Sequence, residues 1–299
     1  MINSVKPNLI VSDSRGAWFR ATILFILALI GTVGMWSVVV FIPDIEKEFG
    51  LDRGTSSLLY AFTMIGFGFG TVVIGKVYDK FGIKKPILLA TFVLITSYYF
   101  YSIFPFYWQF LILQFFMGFA ASAFFGPAMA DISNFFNKQR GFALSIVASA
   151  NYVAGATWPL LIGYFLTFID WRAAHFWISI CLFIMIPLIL LLKNASVDES
   201  KSHDMKQRYK DIRLDLSNNQ IQVLLMLAGI CCCVAMAMPQ VHMVALCVDN
   251  GFGLQVGTEI LAVMLYSGMI SRIVFGMISD RIGPVLTLLL GSFLQMVSL

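Results

Sequence analysis

The sequence predicts an all-α, polytopic membrane protein, and three observations predict it. Charged residues are only 12% of the 299 residues and hydrophobic ones reach 59%, where a soluble domain carries roughly 25% charged residues to face water. Apolar runs long enough to cross a bilayer recur along the whole chain. Lys and Arg collect on alternate connections between those runs, the asymmetry that orients spanning helices. An aromatic content of 15% and a mean hydropathy of +0.85 agree that most of this chain meets lipid.

A helix needs about 20 predominantly apolar residues to cross the hydrocarbon core, whereas a spanning strand needs about 9–11. Run length therefore selects helices, since backbone polar groups in lipid must be satisfied internally. The first run, 18–41, begins near Trp18 and has no small-residue cleavage site behind it, so it reads as a span and not a signal peptide. Five more follow at 57–76, 86–105, 107–130, 141–168 and 172–192. A polar segment from Lys193, mixing basic and acidic residues, separates these six from runs at 219–247, 257–279 and 284–299. The expected organisation is a six-helix half at 1–192, a cytoplasmic linker at 193–218 and an incomplete second half at 219–299.

Sixteen of the twenty Lys and Arg fall on one side of this arrangement. Lys47, Arg53 and Arg172 fall on the other, and Arg272 lies inside a helix. The amino terminus is therefore expected in the cytoplasm. The net charge of +4 resides in these membrane-flanking loops, so no nucleic-acid partner is expected. Cys181, Cys231, Cys232, Cys233 and Cys247 lack C-x-x-C spacing and read as small buried hydrophobes. His175, His203 and His242 lie in separate regions, so neither a metal site, a cofactor nor a catalytic constellation is expected, which argues against a membrane enzyme.

An internal repeat stands out. After the second run the chain reads Gly75-Lys-Val-Tyr-Asp79-Lys80-Phe-Gly82, and after the eighth Gly276-Met-Ile-Ser-Asp280-Arg281-Ile-Gly283. Both fit G-x-x-x-D-[KR]-x-G with an offset of 201 residues at every matched position. The first glycine permits close helix approach, the carboxylate suits a cap or a basic partner, and the second glycine permits a positive-φ turn. These are the parts of a conformational latch between helices that move.

The motif resembles the signature loop of the major facilitator superfamily, and the resemblance covers the whole chain. It implies two pseudo-symmetric six-helix halves that rock about a midplane site. More finely, the sequence is similar to the monocarboxylate transporter and oxalate/formate antiporter branch in three stretches. These are Phe135-Phe136-Asn-Lys-Gln-Arg140-Gly141, Asp170-Trp171-Arg172, and Ser271-Arg272-Ile-Val-Phe-Gly276. The resemblance implies alternating-access transport of small organic anions in the plasma membrane, by a monomer whose partners are a carboxylate substrate and the bilayer. In that branch an arginine at the position of Arg272 contacts carboxylates. Other solutes, or drug efflux, remain open, with a non-transporting receptor or enzyme further off.

Arg272 is expected about 10 Å below the cytoplasmic surface, on a small, polar face with Gly268, Gly276, Ser267 and Ser271. Its planar fork suits a carboxylate; snorkelling to the interface, or pairing with Asp280, is the competing reading. Further cavity candidates are Trp36, Asn151, Tyr152, Gln240 and His242, for which a plain interhelical hydrogen bond is an equal alternative. Pro239 is expected to kink the seventh helix. Gln114, Gly118 and Ser122, at i, i+4 spacing, read as a close-packing stripe with one polar handle. No well-buried carboxylate is expected, with Asp131 at the cytoplasmic edge, so proton coupling is not implied. The last apolar run stops at Leu299, and the resemblance implies three more helices, so a truncated chain is expected to be inactive or unstable.

Overall fold

A computed structural model describes residues 13–192 and 217–298, and among these residues the chain is helical with no strand. Among the described residues seven helices are long and apolar enough to cross a membrane: Arg15–Phe49, Arg53–Phe81, Lys84–Ile103, Tyr107–Ser133, Arg140–Phe165, Trp171–Leu191 and Gly253–Ile282. Asn218–Asp249 forms a further helix of 32 residues, and Pro284–Ser298 a shorter one of 15. Among the described residues these are numbered in chain order as the first to ninth helices, with Asn218–Asp249 the seventh, Gly253–Ile282 the eighth and Pro284–Ser298 the ninth. The expected linker lies outside the described residues apart from Ser217 and Asn218.

The first, second, seventh and eighth helices outrun at both ends the apolar runs that predict them, because they continue through polar residues to their caps. The second helix starts at Asp52, whose carboxylate accepts the Gly54 and Thr55 amides at 3.0 and 3.3 Å. The Thr55 hydroxyl, helped by these amides, holds the Asp52 carboxyl below the usual carboxylate range. It ends at Gly82 with φ 71°, and the eighth helix ends at Gly283 with φ 88°, a region strained for residues bearing a Cβ. Ser217 and Gln220 form a reciprocal capping box that starts the seventh helix.

The first helix is not continuous, contrary to its unbroken apolar run. It breaks at Thr32, whose hydroxyl bonds back to the Ala28 carbonyl at 2.7 Å. The fourth helix matches the break with a 3-10 turn at Ser122–Phe124, and Pro127 restarts it in its first turn. The ring of Phe124 lies against Gly31, where an added Cβ would fall 2.5 Å from its Cγ. A bulky ring in one helix thus sits on the glycine that weakens the other.

The second and fourth helices make the tightest crossing in the first half. A Cβ on Gly118 would overlap the Thr63 carbonyl oxygen and fall 2.7 Å from its carbon; one on Gly66 would fall 2.8 Å from the Phe115 carbonyl carbon. Beside this contact the Thr63 hydroxyl donates to Gln114 Oε1 at 2.8 Å, and Gln114 reaches the Tyr101 hydroxyl at 3.4 Å. Small residues bring backbones together in lipid, and one polar pair fixes the register.

One expectation is overturned. No well-buried carboxylate is expected, yet Asp131, near the end of the fourth helix, is 6% exposed and clasped by Arg20 near the start of the first. Arg20 Nε and Nη2 donate to its two carboxylate oxygens at 2.6 and 2.9 Å. The guanidinium also lies 4.8 Å from the Phe135 ring centroid. A buried carboxylate is tolerable here because the arginine fork satisfies both oxygens at once.

Candidate functional site

The eighth helix runs antiparallel along the fifth and forms the main seam between the halves. At one end are Gly141 and Gly276. A Cβ on Gly141 would fall 2.8 Å from the Gly276 carbonyl, and one on Gly276 would fall 2.5 Å from the Ser145 Cβ. Next, Arg272 Nη1 donates to the Ala148 carbonyl at 3.0 Å. Then Tyr152 meets Gly268, and Gly155 lies between Trp36 and Leu265. At the far end Gly163 meets Thr258. From Gly141 to Gly163 this ladder rises about 33 Å, comparable to the ~30 Å hydrocarbon core.

At the Gly141 end, Asp280 accepts the backbone amides of Gly141 and Phe142 at 2.7 and 2.9 Å. Those amides belong to the first turn of the fifth helix, where donors lack intrahelical partners and the dipole favours an anion. Asp280 therefore caps a helix of the other half. Asp280→Ala is expected to speed hydrogen exchange at Gly141 and Phe142, with Asn, which keeps one carbonyl oxygen, falling between. Equal exchange in all three proteins would mean that the cap is not held in solution.

The first copy of the motif is placed differently. Nothing lies within 4 Å of a Cβ built on Gly75, and Asp79 and Lys80 are exposed. Arg281 and Gly283 are likewise exposed or half-buried at the end of the eighth helix. Gly82 and Gly283 share the positive-φ turn, so the copies agree in backbone and differ in what they touch.

Midway along the seam sits the polar group that includes Arg272. Ten residues separate it from Ile282, placing it about 15 Å along the helix from that end, deeper than the sequence suggests. Its guanidinium carbon lies 4.2 Å from the Tyr152 ring centroid, a cation–π contact across the seam. The Tyr152 hydroxyl reaches the Met236 sulfur at 3.1 Å, bringing in the seventh helix. One residue before Tyr152, Asn151 Oδ1 accepts from Trp36 Nε1 at 2.9 Å, and the Trp36 ring is buried. Thr157 and Tyr266 pair through their hydroxyls at 3.1 Å further along.

Arg272, Tyr152, Asn151 and Trp36 thus come together, on three helices. Gln240 is half-buried and one turn beyond Met236 on the same face. His242 is exposed and lies roughly two-thirds of a turn around the seventh helix from Met236, so it does not join them. Pro239, expected to kink the seventh helix, lies inside the continuous helix Asn218–Asp249. Met236, the Ala148 carbonyl and the Thr157–Tyr266 pair are additions that sequence reasoning missed. A thioether and a backbone oxygen carry no signal of their own, and a Thr or Tyr in an apolar run is commonplace.

At the opposite end of the bundle the halves are joined by charge. Arg53 Nη2 donates to Asp249 at 2.8 Å, and Arg53 Nε lies 3.1 Å from Glu46. Arg172 holds Glu48 at 2.6 Å and the Phe104 carbonyl at 2.7 Å within the first half. Among the described residues no group of His, Cys, Asp and Glu could hold a metal.

The chain is similar to several known transporters. The MFS-type transporter pynF of Aspergillus niger is 27% identical over 221 residues, covering 72% of this chain and 49% of that protein. The agnestins efflux protein AgnL12 of Paecilomyces divaricatus is 24% identical over 252 residues, covering 82% and 56%. The chain thus spans about half the length of these relatives. The inward-open structure of the xylose transporter XylE from E. coli matches with a TM-score of 0.53 at 13% identity, covering 88% of this chain and 66% of that one, a likeness of fold. The family model of the Major Facilitator Superfamily matches residues 24–299. This multi-pass membrane protein belongs to the Major Facilitator Superfamily.

Proposed function

We propose that this chain carries the substrate seam of a secondary transporter for small organic anions, in the monocarboxylate and oxalate/formate branch, working by alternating access. The observation that carries the reading is Arg272. A guanidinium is costly inside a bilayer, and such residues face the bundle interior or a cavity and mark substrate paths. Here it stands where the halves meet, braced on Tyr152 and on the Ala148 carbonyl, with Asn151 and Trp36 one turn away. That bracing holds a planar fork, the geometry that suits a carboxylate, at the junction of the halves. Asp280 and its motif act as the latch of one half on the other, and the positive-inside pattern supports a cytoplasmic position for that end, in a protein we assign to the plasma membrane. The linker between Leu192 and Ser217 joins the two halves.

A second reading is efflux of a larger organic molecule. It is favoured by relatives named for efflux, AgnL12 and the fujikurins efflux protein of Gibberella fujikuroi, and by the rings of Trp36, Tyr152 and Tyr266 along the seam.

Equilibrium binding of radiolabelled carboxylates to the purified chain, together with uptake into proteoliposomes, tests the proposal. Arg272→Lys keeps the charge but loses the planar fork, and is expected to weaken carboxylate binding roughly 10- to 100-fold, the scale of a lost charged hydrogen bond. Undiminished binding in the lysine variant removes Arg272 as the ligand. Wild-type binding of a neutral aromatic solute in preference to carboxylates favours the efflux reading.

A further inference from the structure

Away from the seam, the outer surface of the first half carries a cavity of about 490 Å³ between the third and sixth helices. Leu88, Phe92 and Ile95 line it on the third helix, Phe183 and Ile186 on the sixth, and Lys85 stands at one end. Its volume is in the range of small-molecule sites, about 300–1,000 Å³. On the sixth helix its lining includes Phe183, within the 3-10 turn at Leu182–Ile184. The flanking side chains open outward: Phe92 is 65% and Phe183 54% exposed, where the bilayer's hydrocarbon would lie.

The charged end of the groove is distinctive. Lys80 and Lys85 both bring their ammonium groups to the ring of Phe81, at 5.2 and 4.5 Å from its centroid. Lys84 lies between them in sequence, and among the described residues none of the three is in an ion pair. Asp79 is the neighbouring carboxylate, exposed on the same turn. Two ammonium groups held close to one ring concentrate positive charge at this end of the groove, which draws an anion. From Lys85 to Ile95 the groove runs about 15 Å along the third helix, half of the ~30 Å core and so the depth of one leaflet.

We propose that this groove binds one anionic glycerophospholipid from the leaflet at the Lys80–Lys85 end, its phosphate held by the lysines and one acyl chain laid along the groove. The charge selects the headgroup, because a choline cation would be brought to the same lysines. The groove selects a molecule with a chain, which free phosphate lacks. The site is separate from the fifth–eighth helix seam and does not depend on what the seam transports.

Native mass spectrometry of the full chain, released from mild detergent after incubation with phosphatidylglycerol or phosphatidylcholine of identical acyl chains, tests this. Phosphatidylglycerol is expected to be retained in preference, with binding falling about fivefold for each lysine removed in K80Q and K85Q. Leu88→Trp, which fills the groove and leaves the lysines in place, is expected to abolish retention. All three positions are on the surface, so thermal melting should match that of the parent chain and separate lost binding from lost fold. Equal retention of the two lipids overturns the proposal, as does phosphatidylglycerol binding unchanged in K80Q and K85Q. Full retention in L88W removes the groove from it.

Discussion

Replacing Gly118 with valine is expected to unlock the first half by forcing the second and fourth helices apart. In isolation the change to a residue with a side chain favours a helix interior, since glycine there costs roughly 0.5–1 kcal/mol relative to alanine. Here the gain is overwhelmed. The first atom of any side chain would land on the Thr63 carbonyl, part of the opposing backbone, which has no rotamer by which to move aside. Overpacking in a well-filled core costs about 1–3 kcal/mol, and a backbone collision belongs at or above the top of that range. Separating the helices would also pull Gln114 from the Thr63 hydroxyl, leaving polar groups without partners in an apolar setting. Thermal or dodecyl-sulfate unfolding of Gly118→Val should show a large loss, with Gly118→Ala intermediate. If the valine variant melts with the parent chain, the close crossing is wrong.

The second large effect concerns Arg20 and Asp131. Removing one partner leaves the other charge in a site where both side chains are under a tenth exposed. Breaking a buried pair in this way costs about 3–5 kcal/mol, whereas replacing both partners by apolar groups of similar volume is often neutral. Asp131→Ala should therefore be severely destabilised, and Arg20→Met with Asp131→Leu should recover most of the loss. A double variant no better than Asp131→Ala would mean that the pair does more than neutralise itself, for example by fixing the Phe135 ring under the guanidinium.

These two cases divide what the sequence discloses from what it conceals. The stripe Gln114, Gly118 and Ser122 is legible because helical spacing alone puts it on one face, and small residues on one face of a spanning helix announce a neighbour. Arg272 is legible for the same reason: its own helix supplies the small, polar face on which it sits. The Arg20–Asp131 pair is concealed, since its members lie 111 positions apart and each, taken singly, resembles an interfacial charge at a helix end. Trp36 and Asn151 are each conspicuous as polar or amphipathic residues in apolar runs, but their bond joins positions 115 apart, which only tertiary packing brings together. The break at Thr32 leaves no trace in hydropathy because Gly31 and Thr32 are tolerated within an apolar run, and its cause, the Phe124 ring, belongs to another helix. His242 differs from these: a mid-helix titratable residue draws notice, and in this chain it is exposed and lies apart from the group around Arg272.

The segment that leads into the fifth helix is held from both sides. Asp13, before the first helix, takes the Asn137 and Lys138 amides at 3.3 Å and its own amide donates to the Phe135 carbonyl at 3.0 Å, while Asp280 of the other half takes the Gly141 and Phe142 amides. If the halves part at this end, the amides of Gly141 and Phe142 lose Asp280, but they do so at an exposed surface. Water can take the carboxylate's place there, so the released donors are rehydrated and not stranded. Asp13 meanwhile stays with the segment, so the fifth helix keeps its footing when the other half leaves. The junction is thus easily reversed: parting it exchanges one carboxylate for water at donors that solvent already reaches.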